Sequence, residues 1–143
     1  LMRTFSKIYG LAGLRGGYGI GHQDFIAELE KVRQPFNLNT MAQAAALAAL
    51  NDDEHLQQTR KTNKTGLKFF ESGFGALGVE FVPSHANFIL AKVGNGQQMF
   101  LDLQNHGIIT RPMGGYRLPE WIRISIGTTT QNERCLNALA DLR

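Results

Sequence analysis

Apolar and polar positions change their spacing repeatedly along this chain of 143 residues, and each change marks an element. Leu1-Met2 reads as the end of a strand, and Gly17 to Ile20 as a second strand after a glycine-rich interval. Three helices follow on 3.6-residue periodicity. They run from about Asp24 to Val32, from Thr40 to Leu50 in an alanine-rich stretch, and from Glu54 to about Leu77. Asn51-Asp52-Asp53 punctuates the last two, and Gly73, Gly75 and Gly78 are expected to end the long one. From there strand and helix alternate: strands at Val79 to Val82 and Asn87 to Lys92, a helix at Gly96 to Asn105, strands at Ile108 to Arg111 and Arg123 to Ile126, and a closing helix at Gln131 to Leu142. Asn105-His106-Gly107 is a helix stop. The pattern predicts two pieces, residues 1–52 and 53–143, the second an α+β domain with helices on one face of a short sheet.

The glycine-rich interval carries the chemistry. In Thr4-Phe5-Ser6-Lys7-Ile8-Tyr9-Gly10-Leu11-Ala12-Gly13-Leu14-Arg15, a lysine leaves an apolar stretch with hydroxyls before it and an arginine eight residues after it. Only a neutral amine attacks a carbonyl, so a lysine that bonds an aldehyde needs desolvation or a neighbouring cation. Arg15 is such a cation, and its planar fork of donors also matches phosphate oxygens, to which Thr4 and Ser6 add hydroxyls. Gly10, Gly13, Gly16 and Gly17 allow tight turning and close backbone approach. The segment reads as strand, active-site turn, strand. By residue type and spacing alone Lys7 and Arg15 read first as ordinary surface cations flanking a glycine-rich turn, since most lysines are solvated.

Charge and composition narrow the alternatives. The net charge is +3, but the basic residues are scattered. Arg60, Lys61, Lys64 and Lys68 cluster on a helix without interleaved aromatic residues, which describes a solvated face and not a nucleic-acid platform. No apolar run approaches the roughly eighteen residues of a membrane span. Cys135 is the single cysteine, excluding a disulfide framework or a cysteine-rich zinc site, and His22, His55, His85 and His106 are too dispersed for a metal. Gly17-Tyr18-Gly19-Ile20-Gly21 lacks the glycine spacing and acidic residue of a dinucleotide loop. The opening at Leu1-Met2, without initiator methionine or leader, reads as a C-terminal portion, and a cytoplasmic setting is expected.

The wording of several segments is more specific than their spacing. Arg3-Thr4-Phe5-Ser6-Lys7 with Gly10-Leu11-Ala12-Gly13-Leu14-Arg15, continued by Gly17-Tyr18-Gly19, resembles the lysine signature of the class I and II aminotransferases, and within them the histidinol-phosphate aminotransferase branch. Arg33-Gln34-Pro35-Phe36-Asn37-Leu38-Asn39 with Ala42-Gln43-Ala44-Ala45-Ala46, then Ser84-His85-Ala86-Asn87-Phe88-Ile89-Leu90, are similar to later segments of that family. So are Gly107-Ile108-Ile109-Thr110-Arg111-Pro112 and Leu118-Pro119-Glu120-Trp121-Ile122-Arg123-Ile124-Ser125-Ile126-Gly127-Thr128. The likeness runs in order along essentially the whole chain.

The resemblance implies an α/β fold, the C-terminal part of a fold-type I transferase dependent on pyridoxal 5'-phosphate: the end of the large cofactor-binding domain at 1–52 and the small C-terminal domain at 53–143. It implies that Lys7 bonds the cofactor and serves as general base and acid, that Thr4, Ser6 and Arg15 hold the cofactor phosphate, and that Arg123 binds the substrate carboxylate. An arginine opening an apolar strand needs a partner if buried, and a structural salt bridge is the other account of Arg123. The resemblance associates Arg111 with a substrate phosphate. Arg117 stands where many relatives have glycine, and its role is open. Asn87 either orients substrate or satisfies backbone groups, and Tyr9 and Tyr18 beside the glycine turns are packing residues by default.

The implied reaction is transamination between histidinol phosphate and 2-oxoglutarate in histidine biosynthesis, by a homodimer in the full-length protein, with neither nucleic acid nor membrane as partner. Aromatic amino-acid transamination and threonine-phosphate decarboxylation use the same scaffold, and a non-catalytic dimerisation module is the reading from another class. In such enzymes the aspartate on the pyridine nitrogen and the ring-stacking aromatic residue precede the lysine, and a tyrosine comes across the dimer. The 143 residues alone are therefore expected to have little or no activity.

Overall fold

The structure is a computed structural model describing residues 1–143. The chain divides into two compact units, Leu1–Arg60 and Lys61–Arg143. The division falls inside the long helix, beyond the boundary that the punctuation at Asn51-Asp52-Asp53 suggests.

In the first unit, β1 (Met2–Thr4) and β2 (Gly17–Gly19) pair antiparallel with Thr4 opposite Gly17. Helices α1 (Gln23–Val32) and α2 (Thr40–Leu50) follow. The Asn39 side chain caps α2 by accepting from the Ala42 backbone N–H at 2.8 Å, satisfying one of the donors that every helix start leaves free. Phe5 and Ala42 are the buried apolar residues, and Gly16 at the loop base packs beside them, where even a Cβ would make only ordinary contacts of 3.6 to 4.0 Å with Leu38, Phe5 and Ala42.

Helix α3 (Asp53–Leu77) runs across the division between the units. It ends at Leu77 as the sequence pattern predicts, with Gly73 and Gly75 inside it and Gly78 beyond it in the left-handed region (φ +64°). Gly73 is there for contact, since a Cβ would lie 2.3 Å from Leu136 Cδ2. The helix closes when the Val79 N–H donates to the Phe74 carbonyl and the Gly78 N–H to the Gly75 carbonyl, the Schellman pattern, with Val79 and Phe74 both buried.

The second unit is built on a four-stranded antiparallel sheet in the order β3-β4-β6-β5, with β3 at Phe81–Val82, β4 at Phe88–Lys92, β5 at Arg111–Pro112 and β6 at Trp121–Ser125. Ile89 opposite Ile124 and Ala91 opposite Ile122 give one buried face. Against it pack Leu67, Phe70 and Phe74 of α3, Met99 and Leu103 of α4 (Gly96–Asn105), and Cys135, Ala138 and Leu139 of α5 (Thr129–Asp141). The helices thus cover one face, as the alternating pattern predicts. No helix is long and apolar enough to cross a membrane.

Strands β3 and β5 begin two and three residues later than predicted, for one physical reason. Val79 is committed to the cap of α3, so β3 starts at Phe81. Ile108 is likewise committed to the cap of α4: its N–H donates to Leu103 and that of Gly107 to Gln104, with Gly107 at φ +71°. Ile109 is then 81% exposed, and β5 is only Arg111–Pro112. Helix α5 starts two residues early because Thr128 and Gln131 form a reciprocal capping box.

Candidate active site

Ser6, Lys7 and Arg15 lie on the loop that joins β1 to β2, and Thr4 stands at its start. Thr4 ends β1, and the Phe5 N–H donates to the Gly16 carbonyl at 3.2 Å, so the hairpin is strapped one residue beyond the strands. Leu11 N–H returns to the Phe5 carbonyl at 2.9 Å and Gly10 N–H to the Lys7 carbonyl at 2.9 Å, with Gly10 at φ +71°. These bonds fold the segment around Lys7 into a tight turn instead of a helix. Phe5 anchors it from below, its ring 5.2 Å from that of Tyr9 and 5.7 Å from that of Tyr18, so both tyrosines do pack.

The donors on this loop are set outward. Lys7 is exposed, so these residues supply no desolvation of its amine. Thr4 Oγ1 accepts from the Ser6 backbone N–H at 3.0 Å, which leaves its own proton free to donate. Arg15 closes the short 3-10 turn Ala12–Leu14 in the left-handed conformation (φ +58°), unusual for a residue with a Cβ. One of its N–H groups reaches the Ala12 carbonyl at 2.8 Å and four remain. Cβ atoms placed on Gly10 and Gly13 would meet nothing within 4 Å. A primary amine, two hydroxyls and a guanidinium on an open, glycine-lined loop form a donor set that fits an aldehyde-bearing phosphate ester.

In the second unit the sheet face away from the helices carries the other candidates. Arg111 on β5 is the direct partner of Arg123 on β6, and Arg123 is the direct partner of Leu90 on β4, which pairs with Val82 on β3. Direct partners share a face, so two guanidinium side chains stand side by side there. Neither has an acidic partner; the ion pairs of this unit are those of Lys92 with Glu80 and Glu120. Arg123 therefore makes no structural salt bridge. Its guanidinium lies over the Phe88 ring, 5.1 Å from the centroid, with Nε buried and unpaired. Arg111 donates from Nη2 to Tyr116 Oη at 3.1 Å and lies 5.3 Å from that ring's centroid.

Like charges directly opposed across strands destabilise a sheet by roughly 0.2–1 kcal/mol, and an unpaired buried donor costs about 1–3 kcal/mol. An anion placed against this face offsets both.

Phe88 and Tyr116, the rings against which the two arginines rest, do not stand out as site residues in the sequence. For Tyr116 a signal exists, since the loop places it five residues after Arg111. Arg117 closes the 3-10 turn Gly114–Tyr116 in the left-handed region (φ +61°), a position that suits glycine. Asn87 divides its parts: its carbonyl accepts from Ile126 at 2.9 Å while its side chain is exposed. A groove of about 430 Å³ is lined by Val82, Pro83, Ser84, His85, Ala86, Phe88 and Leu90. No three His, Cys, Asp or Glu side chains gather where they could hold a metal ion.

Comparison with known proteins shows that the chain belongs to the aminotransferase class I and II family, whose model matches residues 1–139. Within that family it is 54% identical over 142 residues to the histidinol-phosphate aminotransferase of Akkermansia muciniphila, covering 99% of this chain and 39% of that protein. It is 50% identical to histidinol-phosphate aminotransferase 2 of Ralstonia nicotianae, covering 96% of this chain and 38% of that one. Among solved structures, the histidinol-phosphate aminotransferase of Sinorhizobium meliloti in complex with pyridoxal-5'-phosphate superposes with a TM-score of 0.85 at 29% identity, over 99% of this chain and 40% of that one. The chain therefore spans about two-fifths of the length of these relatives.

Proposed function

We propose that a polypeptide of the relatives' full length carrying this sequence is a pyridoxal-phosphate-dependent aminotransferase that exchanges an amino group between histidinol phosphate and 2-oxoglutarate. Residues 1–52 are then the end of its large domain and 53–143 its small domain, and the working enzyme is a cytoplasmic homodimer. The observation that carries the reading is the pairing of Arg111 with Arg123 on one sheet face without acidic partners. One guanidinium is enough for a carboxylate. Two adjacent guanidinium groups suit a phosphate ester that carries close to two charges.

Pyridoxal phosphate, when bound, supplies an aldehyde and an electron sink for charge developing at the substrate Cα. Lys7 Nζ would be the group that holds that aldehyde and, when free, would take up the proton at the substrate Cα. Arg15, Thr4 and Ser6 hold the phosphate of the cofactor, and the open positions at Gly10 and Gly13 keep side chains out of its approach. Arg123, steadied on Phe88, orients the carboxylate of glutamate, and Arg111 adds the second cation for histidinol phosphate.

Two measurements test the proposal. Borohydride reduction of the cofactor-loaded full-length protein should leave a pyridoxyl group on Lys7, detected by peptide mass, and Lys7→Ala should abolish both adduct and turnover; an adduct on any other lysine rejects the assignment. Turnover of histidinol phosphate should exceed that of phenylalanine, and the reverse order would select the aromatic branch. The isolated 143 residues should show no more than trace activity.

A further inference from the structure

Tyr116 belongs to no expected set of site residues, yet it is the one side chain that fixes Arg111. An arginine on a two-residue edge strand, exposed and without an acidic partner, would otherwise sample many rotamers. Here its Nη2 donates to Tyr116 Oη at 3.1 Å, and its guanidinium carbon lies 5.3 Å from the centre of the same ring. The two contacts act on different parts of the group, one on a single N–H and the other on the charge as a whole.

The loop that delivers Tyr116 is itself held. Met113 is buried, and its N–H donates to the Trp121 carbonyl at 3.1 Å, tying the loop's start to β6. Tyr116 N–H donates to the Met113 carbonyl and Arg117 N–H to the Gly114 carbonyl, both at 2.9 Å, and Leu118 N–H returns to Met113 at 3.3 Å. Arg117 accepts the left-handed conformation that closes this turn. Backbone strain at a residue with a Cβ persists only where its surroundings over-determine it, and here the result is a ring delivered to one place beside Arg111. Gly114 and Gly115 have open space where a Cβ would be, and Arg111 itself is exposed. As acceptor from Arg111, the Tyr116 hydroxyl keeps its own proton, which can be donated to an anion on the same side.

We propose that Tyr116 is a positioning residue that presets Arg111 for the phosphate of a phosphorylated amine, and so sets the preference for phosphorylated over unphosphorylated amino donors. The inference rests on the reading of Arg111 as the phosphate-binding arginine. Pre-organisation is the physical basis: an arginine already held in its bound rotamer loses less freedom when the anion arrives. Glutamate carries no phosphate and draws on Arg123, which has its own ring support in Phe88, so its binding should not depend on Tyr116.

The test is steady-state kinetics of the full-length enzyme with Tyr116→Phe, Tyr116→Leu and Arg111→Gln, using histidinol phosphate and glutamate as donors and inorganic phosphate as competitor. Tyr116 is 58% exposed, so neither substitution at it threatens the core. Tyr116→Phe should raise KM for histidinol phosphate and the inhibition constant of inorganic phosphate about fivefold, the effect of one modest hydrogen bond, with kcat within about twofold. Tyr116→Leu, which also removes the ring, should raise both further, and KM for glutamate should stay put in each. Unchanged phosphate constants in both tyrosine variants, with a rise in Arg111→Gln, would overturn the role of Tyr116 while leaving Arg111 as the phosphate ligand. Unchanged constants in Arg111→Gln would remove the reading beneath it as well, and an equal rise in KM for glutamate would show a merely structural effect.

Discussion

Replacing Gly66 by alanine separates a helix's intrinsic preference from the packing that overrides it. In an exposed helix interior the exchange gains about 1 kcal/mol, because glycine loses more backbone freedom on folding than alanine does. Gly66 is buried on α3, where a Cβ would lie 2.4 Å from Ile126 Cγ2 and 2.8 Å from Asn132 Nδ2. Ile126 is partly buried and can yield a little. Asn132 cannot: its Oδ1 accepts from the Gly127 N–H at 2.9 Å and its Nδ2 donates to the Gly127 carbonyl at 3.2 Å, clamping the turn between β6 and α5. Overpacking costs about 1–3 kcal/mol, and disturbing the clamp adds about 1 kcal/mol. Against the gain of about 1 kcal/mol in helix preference, the net expectation is a loss near 2 kcal/mol.

Gly75 is the internal control. It lies on the same helix but is exposed, and a Cβ added there would meet nothing within 4 Å, so Gly75→Ala should gain about 0.5–1 kcal/mol. Trp121, the single tryptophan, sits in β6 and reports unfolding of the second unit by fluorescence. With a urea slope of about 2 kcal/mol/M, the midpoint should fall by about 1 M for Gly66→Ala and rise by a few tenths for Gly75→Ala. A Gly66→Ala midpoint at or above that of the parent would refute the close approach of α3 to Ile126 and Asn132.

Phe74→Ala removes a fully buried ring from the core beneath the sheet and should cost about 3–5 kcal/mol in the same urea experiment. Burial pushes the Cys135 thiol up from 9.0 to about 11, so the unfolded chain ionises first; the stability this thiol preserves is intact below about pH 9 and is lost as pH climbs toward 11. The loss should reach about 2–3 kcal/mol, and Cys135→Ala, compared by urea midpoints at pH 8 and 11, should remove that part of the alkaline decline. Arg123→Leu removes an unpaired buried donor and a like-charge neighbour at the cost of one cation–π contact, so the urea midpoint should hold or rise while carboxylate binding is lost; a clear fall would mean that the arginine is structural.

Much of the fold is legible in the sequence because helix periodicity needs only local information. The span of α2 and that of α4 agree with the apolar pattern to the residue, and α1 and α3 begin within a residue of it. The departures have a common origin in residues that serve two elements. Val79 and Ile108 look like the first residues of strands, but their backbone N–H groups and side chains are used by the caps of α3 and α4. Gly73 and Gly75 look like helix terminators, yet an inward glycine can mark a close neighbour and an outward one a tolerated cost. The start of α5 is within reach of sequence, since Thr128 and Gln131 spell a capping box.

The two halves of the candidate chemistry differ in how far sequence can carry them. The lysine loop is contiguous, so its amine, hydroxyls and guanidinium can be read as one donor set from Thr4 to Arg15, and the hairpin bonds between Phe5 and Gly16 account for their gathering on one turn. The arginine face is a property of register. Arg111 and Arg123 are twelve positions apart in the chain, and which sheet face each occupies depends on strand pairing that an Ile108-to-Arg111 strand would place differently. Side-chain period in a strand is two, so an error of one residue moves an arginine from the open face to the core. The cap at Ile108 therefore does more than end α4: it leaves Arg111 as the first residue of β5, directly opposite Arg123 on the open face of the sheet.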